Sequence, residues 1–133
     1  MIVKGKESQE KLLEGINGTA DVVKTTLGTK GRTVLIQEKY GLGFNITKDG
    51  VTVANSISFD EEYLNIGSDF IKNAAKKTVD EAGDGTTTTS ILTQSMCNNI
   101  FKELELGKNQ NELIKDLKED LEMVVNYIKD KSK

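Results

Sequence analysis

The segment Gly83-Asp84-Gly85-Thr86-Thr87-Thr88-Thr89 puts one carboxylate, two glycines and four consecutive hydroxyls at what the downstream pattern makes the start of a helix. Threonine is a mediocre helix former, because its branched side chain crowds the preceding turn, so this run is a poor choice for helix formation alone. The glycines let the backbone turn tightly and bring a ligand close. The free N–H groups of a first helical turn and its positive dipole end favour a polyphosphate. Hydroxyls of Thr86, Thr87 and Thr88 add donors, and Asp84 supplies the hard oxygen ligand that a magnesium bridging phosphates needs. A plain helix cap requires only one of Asp84 and Thr86 and leaves the other threonines without a purpose. The segment therefore reads as a phosphate-and-magnesium cradle, part of an ATP site.

Two further loops carry weaker signals. In Thr26-Leu27-Gly28-Thr29-Lys30-Gly31-Arg32, Gly28 alone would be an ordinary helix stop, and Lys30 and Arg32 ordinary cations at a helix C-terminus. Thr47-Lys48-Asp49-Gly50 taken alone is a solvated turn built on Asp-Gly. Neither is a Walker A loop, since no Gly-Lys-Ser/Thr follows a strand at the required spacing. Histidine is absent and Cys97 is the only cysteine, which removes an imidazole base, a disulfide framework and the usual zinc ligand sets.

The elements that must position these loops follow from apolar spacing. Leu12, Ile16, Ala20, Val23 and Leu27 keep to one stripe at 3.6 residues per turn, and Gly28 ends that helix. Ser58 to Glu61 has capping-box spacing, followed by Leu64, Gly67, Ile71, Ala74, Thr78 and Ala82 on one face, with Gly83 as C-terminal glycine. A third helix carries Leu92, Met96, Ile100 and Leu104. A fourth opens on Asn109 and Glu112 and aligns Leu113, Leu117, Leu121, Val124 and Ile128. The expected helices are 8–27, 61–82, 86–105 and 110–130. Thr33 to Gln37 is a β-type run, Asn45 to Thr47 its returning strand, and Tyr40 to Gly43 the hairpin loop. The fold class is mainly α, four long helices in a bundle with a small β-hairpin whose edges stay available for pairing.

With 133 residues the default is a single domain. A net charge of −3 gives no long-range attraction for nucleic acid or an anionic membrane, so neither is expected as a partner. Nowhere do about eighteen apolar residues run together, and the N-terminus has no signal-peptide core. A reducing compartment, cytoplasm or organelle matrix after processing, is expected.

In order and in combination, Thr26 to Arg32, Thr47-Lys48-Asp49-Gly50-Val51-Thr52-Val53-Ala54 and Ala82 to Thr88 closely resemble the nucleotide-binding signature of group I chaperonins, the GroEL family. The resemblance runs from the first helix to the end of the fourth and corresponds to the N-terminal half of that family's equatorial domain. It implies a pocket in which Thr26, Leu27, Gly28 and Thr29 line ATP while Lys48 and Gly50 approach its phosphates. It further implies that Gly85, Thr86, Thr87 and Thr88 donate to phosphate oxygens, that Asp84 binds ATP through Mg²⁺, and that Asp49 lies near the attacking water as the catalytic carboxylate. Backbone oxygens at Thr26 and Lys48 are where the resemblance places K⁺. It also implies ATP hydrolysis, a homo-oligomeric ring in which the hairpin pairs with a neighbouring subunit's termini, unfolded client proteins and a co-chaperonin.

One departure is internal: Thr29 stands where the family has proline, so a fixed φ gives way to a freer residue with an extra N–H. By the same resemblance the client-binding and intermediate domains, the second half of the equatorial domain and the second hydrolytic carboxylate lie outside these residues. A non-catalytic interaction module working through the hairpin edge is the alternative reading.

Overall fold

The computed structural model describes residues 5–37 and 43–132. Helix α1 (Lys6–Val23) runs into a 3₁₀ turn (Lys24–Thr26), then strands β1 (Val34–Gln37) and β2 (Phe44–Thr47), and helices α2 (Gly50–Ser56), α3 (Glu62–Ala82), α4 (Thr86–Glu105) and α5 (Gln110–Lys131). The expected class holds: four long helices and a small antiparallel hairpin, with one short helix in addition. The hairpin pairs Val34 with Thr47, Leu35 with Ile46, Ile36 with Asn45 and Gln37 with Phe44. Of the loop expected at Tyr40 to Gly43, only Gly43 lies within the described residues.

Backbone contacts divide the chain into two units, Met1–Cys97 and Asn98–Lys133. In the first, α1 and α3 pack most intimately. Ile16 and Ala20 meet Ile71, with Leu12 and Cys97 against them. The helices come this close because Gly15 and Gly67 face each other: a Cβ on Gly67 would lie 2.9 Å from the Gly15 Cα. A second cluster joins the end of α1 to α2 and the hairpin through Val23, Val53 and Ala54, with Val34, Ile36 and Ile57 alongside. Both clusters are small, and the buried hydroxyls of Thr19 and Ser68 have no partner among the described residues, a further cost to this core. The second unit holds the end of α4 and α5. Asn109 caps α5, accepting from the Asn111 N–H at 2.8 Å, as its sequence position suggests.

Four expectations need correction. The first regular helix ends at Val23, not Leu27. Lys24 to Thr26 tighten into the 3₁₀ turn and Leu27 is extended and half exposed, so its place on the apolar stripe is accidental. No capping box opens α3. Glu61 makes no side-chain cap, and Asn65 instead clamps the entry, its Oδ1 accepting from Phe59 N at 2.9 Å and its Nδ2 donating to Phe59 O at 2.7 Å. Thr47 to Gly50 is no simple turn but the passage from the end of β2 to α2, with Asp49 as N-cap and Gly50 as first residue; that helix is hidden because Val51, Thr52 and Val53 are β-branched and it has 7 residues. In α4 the apolar stripe is misplaced: Leu92 and Met96 are exposed, while Thr86 and Ser90 are buried. Residues four apart drift around a helix by about 40° per step, so an all-four spacing does not hold one face. The α5 helix forms where its apolar stripe places it; of that stripe Leu113 is buried, and Leu121, Val124 and Ile128 are exposed.

Candidate functional site

Three sequence-distant loops come together in the first unit. The 3₁₀ turn buries Thr26, whose hydroxyl donates to the Val23 carbonyl at 2.7 Å and lies 3.2 Å from the hydroxyl of Thr87. Since the Thr26 proton is committed to Val23, Thr87 is the donor between them. Behind Thr26 the loop folds back on itself through Arg32 N to Thr25 O at 2.7 Å, and Gly31 sits against the Thr26 carbonyl so closely that no side chain fits there.

Gly50 closes the other side. A Cβ at this buried glycine would stand 2.5 Å from the Thr87 hydroxyl oxygen and 3.1 Å from that of Thr86. The first residue of α2 therefore lies so close to the Thr86 and Thr87 hydroxyls at the first turn of α4 that no side chain fits at position 50. Thr86, Thr87 and Thr88 begin α4, so their N–H groups have no intrahelical partners.

Asp49 is the N-cap of α2. Its Oδ2 accepts from Thr52 N at 2.9 Å and from the Thr52 hydroxyl at 2.5 Å. The Thr52 hydroxyl first, then the Thr52 N–H and more weakly that of Val51, hold the Asp49 carboxyl below the usual carboxylate range, against a partial opposing effect of burial. Because the folded-state pKa is depressed, the stability Asp49 contributes is present above the unfolded-state value and is lost as pH falls through the folded one. Asp49→Ala is expected to cost about 1 kcal/mol at neutral pH through loss of the cap. Urea unfolding of both chains should show that difference shrinking towards pH 3, a range set by ordinary carboxylate titration at about pH 4; an unchanged gap would remove the ionised cap as its cause.

Asp84 is exposed, and its Oδ1 accepts from the Gly85 N–H at 2.6 Å. That bond is to the adjacent residue and not to the second or third N–H of α4, so Asp84 is not acting as an ordinary cap. Gly85 has φ 92, a left-handed backbone. Gly28, with φ 75, Thr29 and Lys48 are exposed around the same loops, and Leu27 is half exposed.

The fourth threonine has a different role: the Thr89 hydroxyl is 2.9 Å from that of Thr78 on α3, a structural tie between the two helices. Sequence reasoning missed this tie, along with Thr52 and Gly31. An Asp-x-x-Thr spacing was available to reveal the Asp49–Thr52 cap. Nothing local announces the Thr78–Thr89 pair.

The donor set fits the groups the resemblance implies. Among the described residues no cluster of three or more His, Cys, Asp or Glu could hold a metal. A divalent ion here would rely on Asp84 together with oxygens of a bound phosphate, which is how magnesium is commonly held.

The family model described as the TCP-1/cpn60 chaperonin family matches residues 19–133. The chain belongs to that family. Among solved structures it is similar to chaperonin gp146 from the bacteriophage EL 2 (Pseudomonas aeruginosa), crystallised in the presence of ATP-BeFx. The TM-score is 0.68 for crystal form II and 0.67 for form I, at 40% identity in each. The match covers 76% of this chain and 18% of gp146, so these residues span under a fifth of that chaperonin's length. Among the described residues no helix is long and apolar enough to cross a membrane.

Proposed function

We propose that these 133 residues are the ATP-binding segment, part of one equatorial domain, of a ring-forming chaperonin that assists protein folding. The observation that carries this is the meeting of Thr26, Gly50 and Thr87, three residues from three separate loops, around a space closed to any side chain at position 50. In this reading the N–H groups and hydroxyls of Thr86, Thr87 and Thr88 receive phosphate oxygens at the positive end of α4, and Gly85 lets the backbone approach them. Leu27, Gly28 and Thr29 flank the nucleotide, and Lys48 supplies positive charge beside the phosphates. Asp84 holds Mg²⁺, and carbonyls of Thr26 and Lys48 hold K⁺. Asp49, ionised and fixed by Thr52 through one oxygen, keeps its other oxygen to orient a water; the second carboxylate that completes hydrolysis lies beyond these residues. That a similar chaperonin was crystallised with an ATP analogue supports a nucleotide here.

Titration calorimetry with Mg-ATP on the chain and on Asp84→Ala tests the metal assignment. Removal of a charged ligand to a bound ion is expected to weaken Mg-ATP binding about tenfold or more; equal affinities would take Asp84 out of the site. Brisk magnesium-dependent turnover by the 133 residues alone would contradict the incomplete hydrolytic site.

Ring assembly fits the hairpin. Leu35 and Ile46 are paired across the strands and both exposed, Phe44 beside them, and neither strand has a second neighbour among the described residues. Paired edges of this kind invite a strand from another subunit. Unfolded clients, a co-chaperonin, and a cytoplasmic or organelle-matrix location belong to the same reading.

A further inference from the structure

Helix α4 carries the hydroxyls of the candidate site, yet apolar packing does little to place its first turns; its apolar contact with the α1–α3 core comes later, at Cys97. Its buried residues are Thr86 and Ser90, whereas α1 buries Gly15, Ile16, Thr19, Ala20 and Val23. Ser90 is used locally, its hydroxyl donating to the Thr86 carbonyl at 2.9 Å. What ties the first turns of α4 to its neighbours is polar. Thr89 meets Thr78 of α3, and Thr87 meets Thr26. Two turns further on, Gln94 Nε2 donates to Asn17 Oδ1 at 3.1 Å and to Asp21 Oδ1 at 2.8 Å on α1.

We propose that Gln94 is a positioning residue for the candidate site, its side-chain amide clamping α4 to α1 so that the Thr87 and Thr26 hydroxyls meet. Residues 87 and 94 are seven apart, which puts them on one face of the helix about 10 Å from each other. Their partners are arranged to match. Asn17 and Asp21 lie on one face of the last turns of α1, Lys24 opens the 3₁₀ turn that follows, and Thr26 comes two residues later. The Asp21 oxygen that takes the Gln94 amide also takes the Lys24 ammonium at 2.5 Å, so the acceptor is charged and held in place. A charge-assisted bond of this kind is stronger than a neutral one. Without it α4 keeps the Thr78–Thr89 tie, two residues from Thr87, and can pivot there. Displacement at position 87 then follows from rigidity of the helix rather than from any unfolding.

The clamp is testable apart from nucleotide, although its link to ATP rests on the function proposed above. In a Cys97→Ser background, Thr26→Cys with Thr87→Cys reports how often the two positions meet, through the rate of disulfide formation. Adding Gln94→Ala is expected to slow that rate about tenfold. Gln94→Met, which keeps the side chain's length without its donors, should slow it equally. Ile57→Val, a core change of ordinary cost in the second cluster, which holds no residue of α4, should leave it unaltered. On the chain with Thr26 and Thr87 intact, Gln94→Ala should weaken Mg-ATP binding by a similar factor. An unchanged disulfide rate in Gln94→Ala, recovery in Gln94→Met, or equal slowing by Ile57→Val would overturn the clamp. A disulfide rate that responds to Gln94 in a chain that binds no Mg-ATP would overturn the nucleotide reading and leave the clamp standing.

Discussion

Gly67→Ala is expected to be a costly single-methyl addition in the first unit, at about 3 kcal/mol. A Cβ there would point at the Leu12 carbonyl and come within 2.7 Å of Ile16 N and 2.9 Å of the Gly15 Cα, all of them backbone atoms of α1. Backbone cannot rotate aside as a side chain can, so relief requires the two helices to separate. Separation uncovers Ile16, Ala20 and Ile71, most of a small core. Against a total stability of about 5–15 kcal/mol this is a large fraction. Thermal unfolding should show a fall of about 10 °C. Gly18→Ala in the same helix is the internal comparison. Its Cβ meets only the ring of Phe59, at 3.0 Å, and alanine favours the helix, so a change within about 1 kcal/mol is expected. Equal behaviour of the two variants would remove the close crossing as the organising contact of α1 and α3.

Gly50→Ala should behave in the opposite way, abolishing function with little loss of fold. Here the obstructed atoms are the Thr87 and Thr86 hydroxyl oxygens, at 2.5 and 3.1 Å, and the nearest backbone atom, Thr87 N, is at an ordinary 3.5 Å. Hydroxyls can turn away, and alanine at the start of α2 offsets part of the strain, so unfolding should stay within about 1 kcal/mol of the parent. Turning Thr87 away breaks its contact with Thr26 and puts a methyl group where a phosphate oxygen would sit. A loss of one part-buried donor plus a steric block predicts Mg-ATP affinity falling about a hundredfold. Retained affinity in a folded Gly50→Ala chain would place the nucleotide elsewhere.

How far the sequence announced this arrangement depended on the kind of signal. The long helices were legible because their apolar spacing or end residues are local properties; Gly83, with φ 76, ends α3 where a C-terminal glycine was expected. Burial was less legible. The stripe Leu113 to Ile128 has helical spacing, but spacing says which residues share a face and not what covers that face. Helix α2 escaped notice because its N-cap, Asp49, precedes a glycine and a β-branched run that resemble a turn entering a strand. The site residues were legible as separate loops. Their meeting depends on contacts such as Thr26 with Thr87, 61 residues apart, which no local pattern encodes.

The central claim is that the Thr26, Gly50 and Thr86 to Thr88 loops together hold ATP. Amide NMR of the isotope-labelled chain titrated with Mg-ATP tests it most directly, because each loop reports separately. The account predicts saturable shifts at Gly28, Gly50, Gly85, Thr86, Thr87 and Thr88, with the C-terminal turns of α5 unmoved. Shifts confined to α5, or none at millimolar Mg-ATP, would contradict it.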